Sequence, residues 1–313
     1  MLESTAGESL WHREMTHEIP QSDYPAGMAL RVEQVADPAE FLARTAQFRD
    51  ANPLETNVVG SVPQSIIDGS RQYAMAYWWL VLEDDLVVGC ALHTPHYRPV
   101  LSPMSDAAAV LLADAMFDAH PTVRGVTGPL APARAFGARL RDLTGFDATK
   151  STLCELIYEL GEHTPRSGVA GAARTATETD IPLLTKWFSD FGSEALGSIH
   201  NVTEDDVRSR MSQRDILIWE AAGVPVAMAG YAALIPTPDG VIGRIGPVFT
   251  VAEHRGHGYG AAITSAMVDH LRGLGCTRVI LYTDADYPKS NRVYRAMGFE
   301  EVGAVVELGD YAD

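Results

Sequence analysis

The second half of this chain repeats the order of the first, and that repeat limits the fold more than any other feature. Leu30–Val35 and Ala172–Thr177 both read as short strands, each leading to a helix that opens on an acid. Asp37 and Pro38 supply an N-cap and a first-turn proline for a helix to about Phe48. Asp180 stands in the same relation to Ile181–Phe191, where Ile181, Leu184, Phe188 and Phe191 fall at helical spacing. A strand pair follows in each half: Tyr77–Glu83 with Leu86–Leu92, and Ile216–Glu220 with Val224–Ala232. Then come a helix (Asp106–Ala119; Gly260–Leu274) and a strand (Val123–Thr127; Arg278–Thr283). A short helix closes on Gly-Phe (Gly145 and Phe146; Gly298 and Phe299), and a last strand ends each half (Leu153–Leu160; Val302–Leu308). The period is roughly 140–150 residues, enough for one domain per copy. The sequence therefore predicts α/β domains over residues 28–160 and 172–313, a linker at Gly161–Gly171, and a flexible leader over residues 1–27.

Charge narrows the partners. Lys+Arg number 24 against 41 Asp+Glu, a net charge of −17, and lysine occurs only at Lys150, Lys186 and Lys289. No basic stripe is available to neutralise the phosphates of a nucleic acid. An acidic surface also repels anionic lipid and favours a cationic small molecule. Cys90, Cys154 and Cys276 are far apart and odd in number, which argues against a disulfide framework and for a reducing compartment. No apolar run approaches roughly 18 residues, and the first segment lacks the apolar stretch of a signal peptide. A cytoplasmic protein without membrane or nucleic-acid partners is expected, as monomer or homodimer.

Most of the chemical signal lies between Val241 and Phe299. Val241–Thr250 reads as a buried strand interrupted by Gly246 and Pro247, and a proline there belongs at a bulge or edge because it has no N–H for the ladder. Arg255-Gly256-His257-Gly258-Tyr259-Gly260 comes next and opens an amphipathic helix. Alternating glycines at a helix N-terminus expose successive N–H groups to an anion, with the helix dipole behind them. A Walker loop is excluded, because no Gly-Lys-Ser/Thr occurs in the chain. The dinucleotide fingerprint is formally met by Gly256-x-Gly258-x-x-Ala261, but Ala252–Arg255 separate these glycines from the strand and the chain ends soon after.

The segment resembles the GCN5-related N-acetyltransferases (GNAT), whose acyl-CoA loop follows Arg/Gln-x-x-Gly-x-Gly/Ala. Arg255-x-x-Gly258-x-Gly260 fits that pattern, and Asn291, Tyr294 and Gly298 with Phe299 resemble the family's second signature. The strong likeness covers roughly 60 residues, while the weaker strand order covers both halves. One departure is Tyr287 before Pro288, where many relatives carry Asn. The resemblance implies an α/β fold of two tandem GNAT-like domains, each a twisted, mixed, mostly antiparallel sheet flanked by helices. It implies acetyl-CoA as cosubstrate, with the backbone from Gly256 through His257, Gly258 and Tyr259 to Gly260 on the pyrophosphate and Val251 and Arg255 beside it. It also implies that a backbone N–H at Val248 or Phe249 polarises the acyl carbonyl. Tyr294 would be the general acid, the alternative being a helix residue packed beside Phe299. Asn291 would either bond the pantetheine or cap the short helix.

The general base is left open among Glu194, Glu220, Glu253 and His254. His254-x-x-His257 and His93-x-x-His96 lack a third ligand, so no metal site is expected. In the first half, Ser102–Asp106 stands where the glycine loop would be, and Asp106 at the helix start would occupy the amides and repel phosphate. The expected function is acetyl transfer to a primary amine of a small molecule or a peptide N-terminus, by direct attack on the thioester. A non-catalytic acyl-CoA sensor is the rival from a different class, and a nucleotide-dependent oxidoreductase a second.

Overall fold

The computed structural model describes residues 30–165, 168–195 and 202–310. The leader expected over residues 1–27 lies outside them. The first half runs β1 (Leu30–Val35), α1 (Pro38–Ala51), α2 (Asn57–Ile67), β2 (Tyr77–Glu83), β3 (Leu86–His93), β4 (Val100–Leu101), α3 (Asp106–Ala119), β5 (Gly125–Gly128), α4 (Leu130–Thr144) and β6 (Ser151–Leu160). The second half runs β7 (Ala172–Thr175), α5 (Ile181–Ala195), α6 (Glu204–Gln213), β8 (Leu217–Ala221), β9 (Val224–Tyr231), β10 (Ile235–Thr237) and β11 (Gly240–Thr250). It ends with α7 (Tyr259–Gly273), β12 (Arg278–Asp284), α8 (Pro288–Ala296) and β13 (Phe299–Gly309). The fold is a mixed α/β structure, with a mixed sheet flanked by helices.

Local chemistry explains the helix starts. Asp37 Oδ1 accepts from the Ala39 and Glu40 amides at 2.7 and 3.0 Å, so α1 begins where its cap dictates. In the second half the cap is Thr177, not Asp180. Asp180 instead accepts 2.8 Å bonds from both terminal nitrogens of Arg174, whose Nε reaches Glu220 at 2.8 Å. The guanidinium holds the Asp180 carboxyl down at about 2. Likewise Ser105, not Asp106, caps α3 by accepting from Ala108 N at 3.2 Å, and Asp106 lies in the first turn.

Among the described residues, the strands join one 13-stranded sheet, in the order β1-β2-β3-β4-β5-β13-β6-β12-β11-β9-β8-β7, with β10 against β11. β4–β5 and β11–β12 are the parallel pairs. The closing strands are exchanged: β13 from the second half lies beside β5, and β6 from the first half lies beside β12. β6 and β13 then pair antiparallel at the centre. Each exchanged strand fills the other half's core, Val306 and Leu308 in the first and Tyr158 in the second. Burying an aliphatic side chain of this size contributes about 1.5–3 kcal/mol. Arg98 fastens the exchange, donating to Glu307 Oε2 at 2.7 Å and to Gly309 O at 2.8 Å.

The segment between the halves is also anchored. Gly161 N and Thr164 N donate to the Gly298 and Met297 carbonyls at 2.9 and 3.0 Å. Farther on, the Ala170 carbonyl accepts from Trp219 Nε1 at 3.0 Å. No helix among the described residues is long and apolar enough to cross a membrane.

Candidate active site

β11 and β12 run side by side from the Ile242–Arg278 pair to the Ile245–Leu281 pair and then part. Beyond the split, β11 stays with β9, pairing Val248, Phe249 and Thr250 with Ala229, Met228 and Ala227. The register shifts between Ile245 and Val248, where Gly246 and Pro247 are joined by a cis peptide bond. A proline with no N–H suits this bulge. The result is a wedge between two strands of the sheet.

Strand alternation decides which amides face the wedge. Val251 N donates to Val226 O on β9 at 3.1 Å. Backbone groups alternate sides, so Phe249 N–H also points to β9, whereas the N–H groups of Val248 and Thr250 point into the wedge. Of the two amides expected to polarise the acyl carbonyl, the register turns that of Val248 into the wedge and that of Phe249 toward β9. Phe249 supplies a core ring, 6% exposed and 6.1 Å from that of Trp187.

The glycine loop closes the wide end of the wedge. Gly256 and Gly258 have φ of 85° and 83°, a left-handed conformation that favours glycine. Gly258 is the N-cap of α7, and no side chain takes the first-turn amides. Those donors remain directed out of the helix end. A Cβ at Gly260 would sit 3.3 Å from Thr250 Oγ1, so the absence of a side chain lets the helix approach the strand. The His257 ring stacks on Tyr259 at 5.7 Å, with Nδ1 3.2 and 3.1 Å from the His254 and Arg255 carbonyl oxygens.

Arg255 differs from its expected role as a free charge at the loop's edge. Its Nε donates to Thr250 O at 3.0 Å, and its Nη2 pairs with Glu194. It braces the strand end to α5, in an exposed ion pair that contributes little by itself.

Tyr294 is packed beside Phe299, the second of its two sequence readings. Its ring meets Phe299 edge-on at 6.0 Å, and its hydroxyl has no hydrogen-bond partner among the described residues. Burial pushes the phenol up to about 12, so it stays protonated at neutral pH. Asn291 departs from the pantetheine expectation. Its Nδ2 donates to the Asp284 and Ala285 carbonyls at 3.0 and 3.2 Å, and its Oδ1 accepts from Thr283 at 3.1 Å. It ties the turn from β12 into α8 and is 4% exposed. Tyr287, where relatives carry Asn, is 47% exposed at the start of α8.

Residues 182–299 match the Acetyltransferase (GNAT) family. That stretch of the chain is similar to the family. Its loop, wedge and Tyr294 all fall within the matched residues, and the match stops at the first residue of β13. A mycothiol acetyltransferase of Saccharopolyspora erythraea is 31% identical over 114 residues, which is 34% of this chain and 36% of that protein. One of Thermobispora bispora is 41% identical over 125 residues, 39% of this chain and 42% of that protein. The chain thus spans well under two-thirds of these curated relatives. A solved tandem GNAT protein from the clavulanic acid biosynthesis pathway superposes with a TM-score of 0.54 at 16% identity, covering 91% of this chain and 99% of that one. That likeness shows a shared fold across both halves.

Around the wedge, the structure occupies two of the acids named as candidate bases. Glu220 is held by Arg174 and Glu194 by Arg255. Glu253 and His254 form the turn after β11, on the loop side of the wedge. Sequence reasoning missed Glu155. It lies on the exchanged strand β6 opposite Asp284 of β12, and the register places it on the same sheet face as Tyr282 and Arg244. Burial and the nearby Glu307 push its carboxyl up to about 7, with Arg244 acting in the opposite direction. No local pattern marks it, because the strand exchange that brings it to β12 is a long-range pairing. On that same face a cleft runs between α2, α6 and β9 and reaches Gly246 and Pro247 at the bulge.

Proposed function

We propose that this protein is an acetyl-CoA-dependent N-acetyltransferase that acylates a primary amine by direct attack on the thioester. The observation that carries the reading is the wedge, with unpaired Val248 and Thr250 amides inside it and an uncapped, glycine-opened helix at its mouth. These donors fit an acyl-CoA: the α7 amides suit a pyrophosphate, and the strand amides suit an amide and a thioester carbonyl. When bound, acetyl-CoA supplies the activated acetyl group.

The chain's own residues then have distinct tasks. Gly256–Gly260 bind the anionic end. Val248 N–H is directed at the acyl oxygen, where charge grows as the amine adds. Tyr294 protonates the departing sulfur, and a phenol held at about 12 has its proton available throughout the physiological range. Glu155, poised near 7, takes the amine proton directly or through water. Asn291 positions α8, and with it Tyr294, through the β12–α8 turn.

Replacing Tyr294 with Phe tests the assignment. At saturating acetyl-CoA, kcat for a responsive amine should fall about 100-fold or more, while CoA affinity stays within about twofold. Wild type and variant that are equally inert across a broad amine panel, yet both bind CoA, would favour the sensor instead.

A further inference from the structure

Four arginines from distant parts of the chain converge on the cleft that meets the bulge: Arg71 after α2, Arg210 and Arg214 around the end of α6, and Arg244 on β11. Acidic groups account for only part of this charge. Arg214 is paired with Asp68, and Asp215, which also lines the cleft, lies 3.1 Å from His270. The remaining three have no carboxylate within ion-pair distance among the described residues. Arg71 donates to the Tyr73 hydroxyl at 3.0 Å. Arg244 donates to Asn57 Oδ1 at 2.8 Å and Ser61 Oγ at 3.1 Å, both on α2. Arg210 Cζ lies over the Phe188 ring, 4.7 Å from its centroid. Asp206 and Glu155 exert longer-range attraction on these groups without contacting them.

Set four guanidiniums against Asp68 and Asp215, and the cleft holds two uncompensated positive charges in a chain whose net charge is −17. Unpaired charge in a half-buried site is costly, and it is retained where a ligand completes the pairing. Burial and the neighbouring Arg71 push Arg210 down, which registers that cost. Each cation is also held in place by a neutral partner, a phenol, an amide and hydroxyl, or a ring face, which leaves N–H donors free for an oxyanion. The cleft borders Gly246 and Pro247, immediately before the wedge-facing amide of Val248. An anion seated on the arginines would therefore sit within a short molecule's length of the acyl carbonyl.

We infer that the acceptor is an amine bearing an oxyanion, carboxylate or phosphate, and that Arg71, Arg210 and Arg244 bind that oxyanion while the amine reaches the wedge. This rests on the transferase reading and replaces the sequence-level expectation of a cationic acceptor. The net surface charge is negative, but the cleft facing the acyl site is positive. It also gives the first half a part in substrate choice, through Arg71 and through the α2 residues that hold Arg244.

Thiol release from acetyl-CoA, followed with matched amines, is the test. Free amino acids are compared with their amides, and phosphoethanolamine with ethanolamine. The oxyanion member of at least one pair should have kcat/KM about 10- to 100-fold higher, the effect of a charge-assisted contact, and the better pair identifies carboxylate or phosphate. Arg210→Gln should raise KM for the oxyanion substrate by a similar factor and leave KM for acetyl-CoA unchanged. Arg210→Lys should recover part of the loss, because charge is kept and the planar fork is not. Equal use of both members of each pair, or an Arg210→Gln variant with unchanged discrimination, overturns the inference. If no amine is acetylated, calorimetry with inorganic phosphate and citrate decides independently of catalysis. Binding weakened by Arg210→Gln would uphold the anion cleft, and no binding to the wild type would sink it. CoA titration of the same samples reports on the transferase reading alone.

Discussion

A carboxylate placed at Gly258 should abolish CoA binding without unfolding the chain. Gly258 caps α7 at φ 83°, and a Cβ there would come within 3.3 Å of Val169 Cγ2. A left-handed non-glycine residue costs about 1–2 kcal/mol. An aspartate recovers about 1 kcal/mol by accepting the first-turn amides that no side chain now takes. Net stability should therefore change by only about 1 kcal/mol. Binding is affected far more. The new carboxylate occupies the donors a pyrophosphate needs, at about 1.5–3 kcal/mol for each charge-assisted bond lost. It also places like charges about 4 Å apart, worth up to about 4 kcal/mol at an effective dielectric of 20 and less in this exposed loop. A loss of about 4–6 kcal/mol weakens Kd by about a thousandfold or more. Titration calorimetry of CoA into wild type, Gly258→Asp and Gly258→Ala measures this, with thermal melting alongside. The alanine variant carries the backbone strain without the charge and should lose less than about tenfold. Undiminished CoA affinity in Gly258→Asp would refute the assignment of this loop.

Two further outcomes follow from the site. If Glu155 is the base, kcat/KM rises with pH through about 7, and Glu155→Gln removes that limb and lowers the plateau. The same shift predicts a stability signature. A carboxyl raised from its ordinary 4.5 to about 7 takes up protons on folding, so wild-type stability falls as pH rises through that window, and Glu155→Gln flattens the slope. Asn291→Ala strands the Thr283 hydroxyl and two carbonyls and should cost about 1–3 kcal/mol in urea unfolding, with KM for acetyl-CoA little changed.

The legible parts of the fold were those with local causes. The strand–helix order could be read because caps such as Asp37 and alternating apolar residues act within a few positions of themselves. The loop could be read because positive φ at Gly256 and Gly258 nearly requires glycine. The choice between Val248 and Phe249 could not, because it depends on a register shift opposite β9. Helix α2 was missed: Gly60 and Pro63 lie inside it and mask a helical pattern, yet it carries Asn57 and Ser61, which hold Arg244. Arg71, Arg210, Arg214 and Arg244 are scattered through the sequence and meet only in three dimensions.

The exchanged strands tie the first half to the wedge, although that half has no glycine loop before α3. Ser105 satisfies an α3 amide, and Asp106 adds negative charge in the first turn, which disfavours an anion at this helix end. Yet β6 forms the far border of β12, and without it the strand that bounds the wedge would become an open sheet edge. The same strand brings Glu155 to the sheet face on which the arginine cleft lies, and α2 and Arg71 line that cleft with Gly246 and Pro247. In return β13 fills the first half's core with Val306 and Leu308 and is clamped there by Arg98. Neither sequence half supplies every strand that closes its own core. Changes to the first half's surface that keep β6 in place would therefore leave the border of β12 intact.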